Sequence, residues 1–219
     1  MPADGLTDGL TDGPADGAMD VARVVRRNYA ALVRLLVLRL VLALGLCALP
    51  VVLVRLGVPN VFAVWLLTVA GMFVAAFTFY RLGYGIRVAR CARVLRHYPL
   101  EFHTRVSKKG EKWTRYGNVF TVRVSTRGRH GAPLMKAVNA AGRRCWPQGL
   151  DGGVWVAGDL PFGGVMVAPD GDAMLFLKPA DWDKLAPQRA QAGAERVERA
   201  ERAGLTQKTT RAWMMRPGA

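Results

Sequence analysis

Residues 58–80 (VPNVFAVWLLTVAGMFVAAFTFY) run for 23 positions without a charge. As a helix they cover about 34 Å, enough to cross a hydrocarbon core of about 30 Å with some tilt. Phe79 and Tyr80 end the stretch beside Arg81, an arrangement suited to a membrane–water boundary. An earlier uncharged run, residues 40–54, reaches only about 22 Å as a helix. Arg39 and Arg55 flank it and can extend their heads outward, so neighbouring leucines complete a first span at about 34–55. Pro50 removes one helical hydrogen bond and predicts a kink there. Only residues 55–60 separate the two runs, which predicts a tight transmembrane hairpin. Gly71 and Ala75 form a small-xxx-small pair. It is read first as packing within the hairpin and second as a homo-oligomer contact.

The 219 residues are 51% hydrophobic yet carry a formal net charge of +15. A soluble domain rarely combines the two, so apolar spans and a cationic part must be separate segments. The charge is indeed uneven: −5 over residues 1–20, +6 over 21–80, +14 over 81–144 and zero over 145–219. Five arginines lie in residues 21–39, before and at the start of the first span, one lies between the spans, and five follow within sixteen residues. The positive-inside rule then places both termini in the cytoplasm of a multi-pass protein of a bacterial inner membrane. The three cysteines, Cys47, Cys91 and Cys145, are odd in number and widely spaced, so no disulfide framework is implied. The preference for Arg over Lys, with abundant Ala, Gly and Val, suits a high-GC bacterial genome.

Residues 1–20 repeat Asp every fourth position, with Gly after four of the five. The segment has nothing to bury and is expected to be disordered. It lacks the oxygen spacing and closing Glu of a calcium loop. Met19 is an alternative start. Arg26-Arg27 echoes a twin-arginine export signal and Leu44–Cys47 a lipoprotein box. Arg34 and Arg39 interrupt the apolar core either would need, and a second span follows at once.

Residues 81–97 are expected to continue the second helix as a basic amphipathic exit, interrupted near Gly83 and Gly85. Tyr84, Val88, Cys91 and Leu95 follow an i, i+4, i+7, i+11 pattern. Arg81, Arg87, Arg90, Arg93 and Arg96 are the candidate contacts to anionic lipid headgroups, worth about 1 kcal/mol per base near the surface. The same residues also serve as the positive-inside signal.

Residues 98–180 read as a small β domain. Phe120, Val122 and Val124 alternate with polar neighbours over 119–125, as in a half-buried strand. Residues 153–157, 164–168 and 173–178 read as buried strands, and 168–172 (APDGD) as a hairpin turn. Residues 100–106, 112–115 and 132–137 are weaker strands. A helix is expected over 181–203, split or delayed by Pro187, with a loose basic tail from Thr206. The fold class is therefore membrane α+β. A two-helix transmembrane hairpin (21–97) precedes a small antiparallel sandwich or barrel (98–180), of which the bacterial pleckstrin-homology-like outline is one form. A C-terminal helix and tail (181–219) follow.

Catalytic chemistry is sparse. His97, His103 and His130 lack metal-ligand spacing, and no phosphate loop or serine elbow occurs. Asp159, in the run AGDLPFGG, is the most enzyme-like acid, but a lone carboxylate in a Gly/Pro turn is usually a turn former. Nothing supplies nucleophile, base and orienter together. No catalytic residue, cofactor or metal is therefore assigned. Between Arg105 and Arg129 eight bases interleave with Trp113, Tyr116 and Phe120, a pattern that would also suit single-stranded nucleic acid.

The run Trp155–Val167, WVAGDLPFGGVMV, with residues 93–99 (RVLRHYP) upstream, resembles a group of uncharacterised actinobacterial membrane proteins. These have two N-terminal spans and a small β domain. The resemblance covers roughly residues 30–180 and implies topology; it carries no activity and no site residues. The expected function is a non-enzymatic integral membrane protein. It would present a basic cytoplasmic β domain for docking to the anionic bilayer surface or to a protein partner. A membrane-tethered nucleic-acid binder and an enzyme using Asp159 are the alternatives.

Overall fold

The computed structural model describes residues 19–57, 61–114, 117–125, 132–142 and 145–207. The acidic repeat before Met19, His130 and the tail from Lys208 lie outside the described residues. Helix α1 (Val21–Arg55) has 35 residues and α2 (Val61–His97) has 37. At 1.5 Å per residue they are about 52 and 55 Å long, well beyond the thickness of a hydrocarbon core. Asp20, the last acid of the repeat, caps α1 by accepting from the Arg23 amide at 3.0 Å. Leu56 and Gly57, with φ +71°, close it.

The two helices pack antiparallel along a narrow seam. In α1 the covered positions Leu32, Leu36, Arg39, Ala43, Leu46 and Pro50 alternate steps of four and three. In α2 Val64, Leu67, Gly71, Val74 and Thr78 do the same. A 3.5-residue period is that of a left-handed coiled-coil seam. Gly71 lies where a Cβ would stand 2.6 Å from Cys47 Sγ and 3.3 Å from the Ala43 carbonyl oxygen. The glycine thus serves close approach within the hairpin. α1 runs unbroken through Pro50, and α2 runs unbroken through Gly83 and Gly85, so the interruption expected there is absent. Gly in a helix costs about 1 kcal/mol, and Gly85 sits against Leu32 of α1, where a small residue fits.

Seven strands form one antiparallel sheet: β1 (Glu101–His103), β2 (Arg105–Thr114), β3 (Gly117–Ser125), β4 (Leu134–Asn139), β5 (Val154–Asp159), β6 (Gly163–Val167) and β7 (Met174–Pro179). Their order is β1-β5-β6-β7-β4-β3-β2. The two edge strands, β1 and β2, are separated in sequence by Thr104 alone. One residue cannot span a flat seven-stranded sheet, so the sheet curls until its edges meet, as a half-barrel. This replaces the two-sheet sandwich that the sequence left open. The predicted strand 100–106 is cut in two at this corner. The basic stretch read partly as loop is the ten-residue edge strand β2, with a bulge between Lys108 and Gly110.

Side chains alternate between two cores. Phe120, Val122, Met135, Val156, Met166 and Leu175 fill the inside of the curl. Val138, Ala157, Val165, Val167, Met174 and Phe176 face outward, against helices. Both faces are covered, which explains strands apolar on every position. The outer cover includes Val88, Cys91, Val94 and Leu95 of α2, with Val24 and Leu32 of α1. The expected helix over 181–203 is instead a 3-10 turn (Asp183–Leu185), a short α3 (Ala186–Ala190) and α4 (Ala194–Arg202). Pro187 occupies the first turn of α3, where its missing N–H is harmless. The break comes at Gln191–Gly193.

Candidate functional site

Four arginines of the exit helix recur every third residue. Three residues turn a helix by about 300°, so such a row winds across the helix instead of lining one face. The structure shows the consequence. Arg87 is buried at 6% exposure, with its guanidinium 4.9 Å from the centre of the Tyr84 ring, while Arg93 and Arg96 are exposed. Arg81 is half-buried and lies 5.6 Å from the same ring. Arg90 is half-buried. Arg93 and Arg96 stand about 16 and 21 Å along the axis beyond Leu82, the last large hydrophobic residue exposed on α2. That is about two Debye lengths at physiological salt. The five candidate headgroup contacts are therefore not brought together on one surface. Arg81 alone sits at the edge of the apolar band.

The apolar pattern of the same helix is as expected: Tyr84, Val88, Cys91 and Leu95 are all buried. Tyr84 packs on Gly142, where a Cβ would lie 2.5 Å from the ring. With φ +70° this glycine suits the turn after β4 as well.

The Gly-rich run around Asp159 is the β5–β6 hairpin. Gly158 and Gly164 are opposed across the ladder, and a Cβ on Gly164 would meet the Ala157 carbonyl oxygen at 2.5 Å. Three cations grip the loop from the C-terminal part of the chain. Arg196 of α4 donates to both Asp159 oxygens, at 3.0 and 2.8 Å. Arg189 of α3 donates to the Pro161 carbonyl at 3.1 Å. Lys178 of β7 donates to the Phe162 carbonyl at 3.2 Å. Asp159 thus belongs to a bidentate ion pair, which raises the Arg196 pKa through hydrogen bonding first and charge second. It lines neither of two grooves beside the 168–173 turn, of about 300 and 740 Å3.

Lys178 escaped the sequence reading, which took it as a strand end. It is 2% exposed. Its Nζ also donates to the carbonyls of Leu205 and Gln207, at 2.5 and 3.1 Å, and stands 4.9 Å from the Trp182 ring. Arg189 stacks on that ring at 3.8 Å. The signal was a lone Lys in the otherwise apolar strand MLFLKP. Burial first, then the cations Arg90 and Arg189, push its pKa from 10.5 down to about 7. Among the described residues no group of three or more His, Cys, Asp or Glu is placed to hold a metal ion. No family model, curated protein or solved structure matches the chain.

Two predictions follow from these contacts. If the Gly-rich hairpin is a packing device, Gly164→Ala lowers unfolding stability by about 2 kcal/mol or more, against about 1 kcal/mol for Asp159→Asn; denaturant titration in mild detergent gives both values, and the reverse order contradicts the reading. Between pH 7 and 10.5 the unfolded chain holds the Lys178 proton that the folded chain has released. Stability therefore rises with pH across this window. Thermal melts from about pH 7 to 9 should show that rise in the wild type and a smaller one in Lys178→Met.

Proposed function

We propose that the chain is a non-enzymatic integral membrane protein whose helix pair anchors a β domain at the membrane surface for docking. The observation that carries this is the exposure of the apolar helices. The most apolar windows of α1 and α2 have mean hydropathies of 2.6 and 1.5, yet only 11% and 12% of them is buried within the molecule. A core helix of a soluble protein hides such a window. Here Leu38, Val41 and Leu44 of α1 and Phe62, Phe73 and Phe77 of α2 stand more than half exposed. A contiguous band of this kind needs lipid or another apolar partner. The flanking arginines favour both termini in the cytoplasm of a bacterial inner membrane, in keeping with the actinobacterial two-span group that the sequence resembles.

The β domain does not hang from a flexible linker. The last turns of α2 are buried in its outer core, so the anchor fixes the orientation in which the domain is presented. Asp159 is held on both oxygens by Arg196, which leaves the enzyme alternative without a supporting observation.

The full chain should stay in the membrane pellet through an alkaline carbonate wash. A fluorescent reporter fused after Ala219 should glow, and an alkaline-phosphatase reporter there should be inactive. Release by carbonate contradicts the anchor; phosphatase activity contradicts the cytoplasmic assignment.

A further inference from the structure

Outside the helical hairpin (21–97), Trp113 and Leu134 are the only large hydrophobic side chains exposed among the described residues. Trp113 is the more open, at 69%. Phe120, Phe162 and Phe176, also in the β domain, are at most 4% exposed. Trp113 lies near the end of β2, paired in register with Asn118. Its strand is strongly cationic: Arg105, Lys108, Lys109 and Lys112 accompany one acid, Glu111. That acid is taken up by Lys108 at 2.6 Å and Asn118 at 2.5 Å. Lysines on an edge strand guard against edge-to-edge pairing, but they give no reason for an open indole beside them.

The register supplies one. Val119, next to Asn118, pairs with Val138 of β4. β4 continues through Ala140 to Gly142, which lies against Tyr84. Tyr84 is two residues past Leu82, where the exposed apolar band of α2 ends. The other end of the hairpin, Arg105, follows directly from β1, which begins just after the far end of α2. The strands β2 and β3 therefore run from the distal side of the domain to the level of the band edge, with the Trp113–Asn118 pair at that end.

We infer that the Trp113 end of β2 rests in the headgroup layer of the same bilayer, with Trp113 inserted at the interface and Lys109 and Lys112 on anionic lipid. The inference depends on the anchor reading above. Indole rings favour the headgroup level, and bases near an anionic surface add about 1 kcal/mol each. The chemistry also differs from that first assigned to the exit helix. The arginines of α2 are spent on Tyr84 or point away, while the hairpin carries both an apolar wedge and free lysines. Contact at two points, the helix pair and the Trp113 end of β2, holds the domain against tilting.

The full chain, reconstituted in vesicles of phosphatidylcholine with or without phosphatidylglycerol, tests this. A fraction of the lipid carries bromine near the headgroup end of its acyl chains. The emission of Trp113 is the difference between wild type and Trp113→Phe, and that of Trp65, 61% exposed on α2, comes from Trp65→Phe. Both should be quenched, Trp113 more strongly with phosphatidylglycerol and less at high salt. Trp65 quenched with Trp113 unquenched overturns the hairpin contact and leaves the anchor standing. Neither quenched overturns both. Quenching of Trp113 by a single-stranded oligonucleotide, with none by brominated lipid, overturns the lipid contact in favour of nucleic acid.

Discussion

The architecture depends on a length mismatch. Each helix is about 20 Å longer than a hydrocarbon core, and one face of the excess is buried within the molecule. At one end of the hairpin it becomes part of the β domain. Val88, Cys91 and Val94 have no exposure at all, and Leu95 little. These residues of α2, with Val24 and Leu32 of α1, complete one of the two cores of the sheet. Removing the helix ends would uncover Val138, Val165 and Phe176. The sheet would then present a broad apolar face to water, so helix pair and β domain share one core.

The second constraint is the closure of the sheet. With β1 and β2 joined through a single residue at opposite edges, the sheet has to wrap around Phe120, Met135 and Met166. Cations of β7 and the C-terminal helices then clamp the β5–β6 hairpin through backbone oxygens and one carboxylate. Lys178 is the deepest of these. Burying its ammonium is costly, and the three carbonyls and the Trp182 face offset that cost only while the 205–207 segment is in place. The Gly-rich motif that marks this sequence is the floor of the clamp. Its glycines permit ladder contacts that a Cβ would block, and its acid is an anchoring group for α4.

Much of this was legible in the residues, because periodicity reports burial. The buried stripe of the exit helix and the strands β3, β5, β6 and β7 follow from apolar spacing. What periodicity missed depends on tertiary context. β2 reads as two strand fragments either side of residues 107–111, because an edge strand has no partner on one side and tolerates lysine. Pro187 delays the α-helix to Ala186, as read from the residues, whereas the second break, at Gln191–Gly193, carries no signal in the apolar spacing. The arginine row looked like a single cationic face, yet its three-residue step takes Arg87 inward and Arg96 outward. Lys178 appeared as a strand end because the segment that covers it lies 27 residues on.

The central claim is that the exposed band of α1 and α2 lies in lipid. Two native thiols test it without any substitution. Cys47 and Cys145 are both exposed on the protein surface, the first within the band and the second on the β domain, whereas Cys91 is buried. In permeabilised native membranes a water-soluble maleimide should label Cys145 and leave Cys47 unmodified until the membrane is dissolved and the chain denatured. Labelling of Cys47 in intact bilayers as fast as Cys145 would mean that the band faces water or a wet interface, and the account of the anchor would fail.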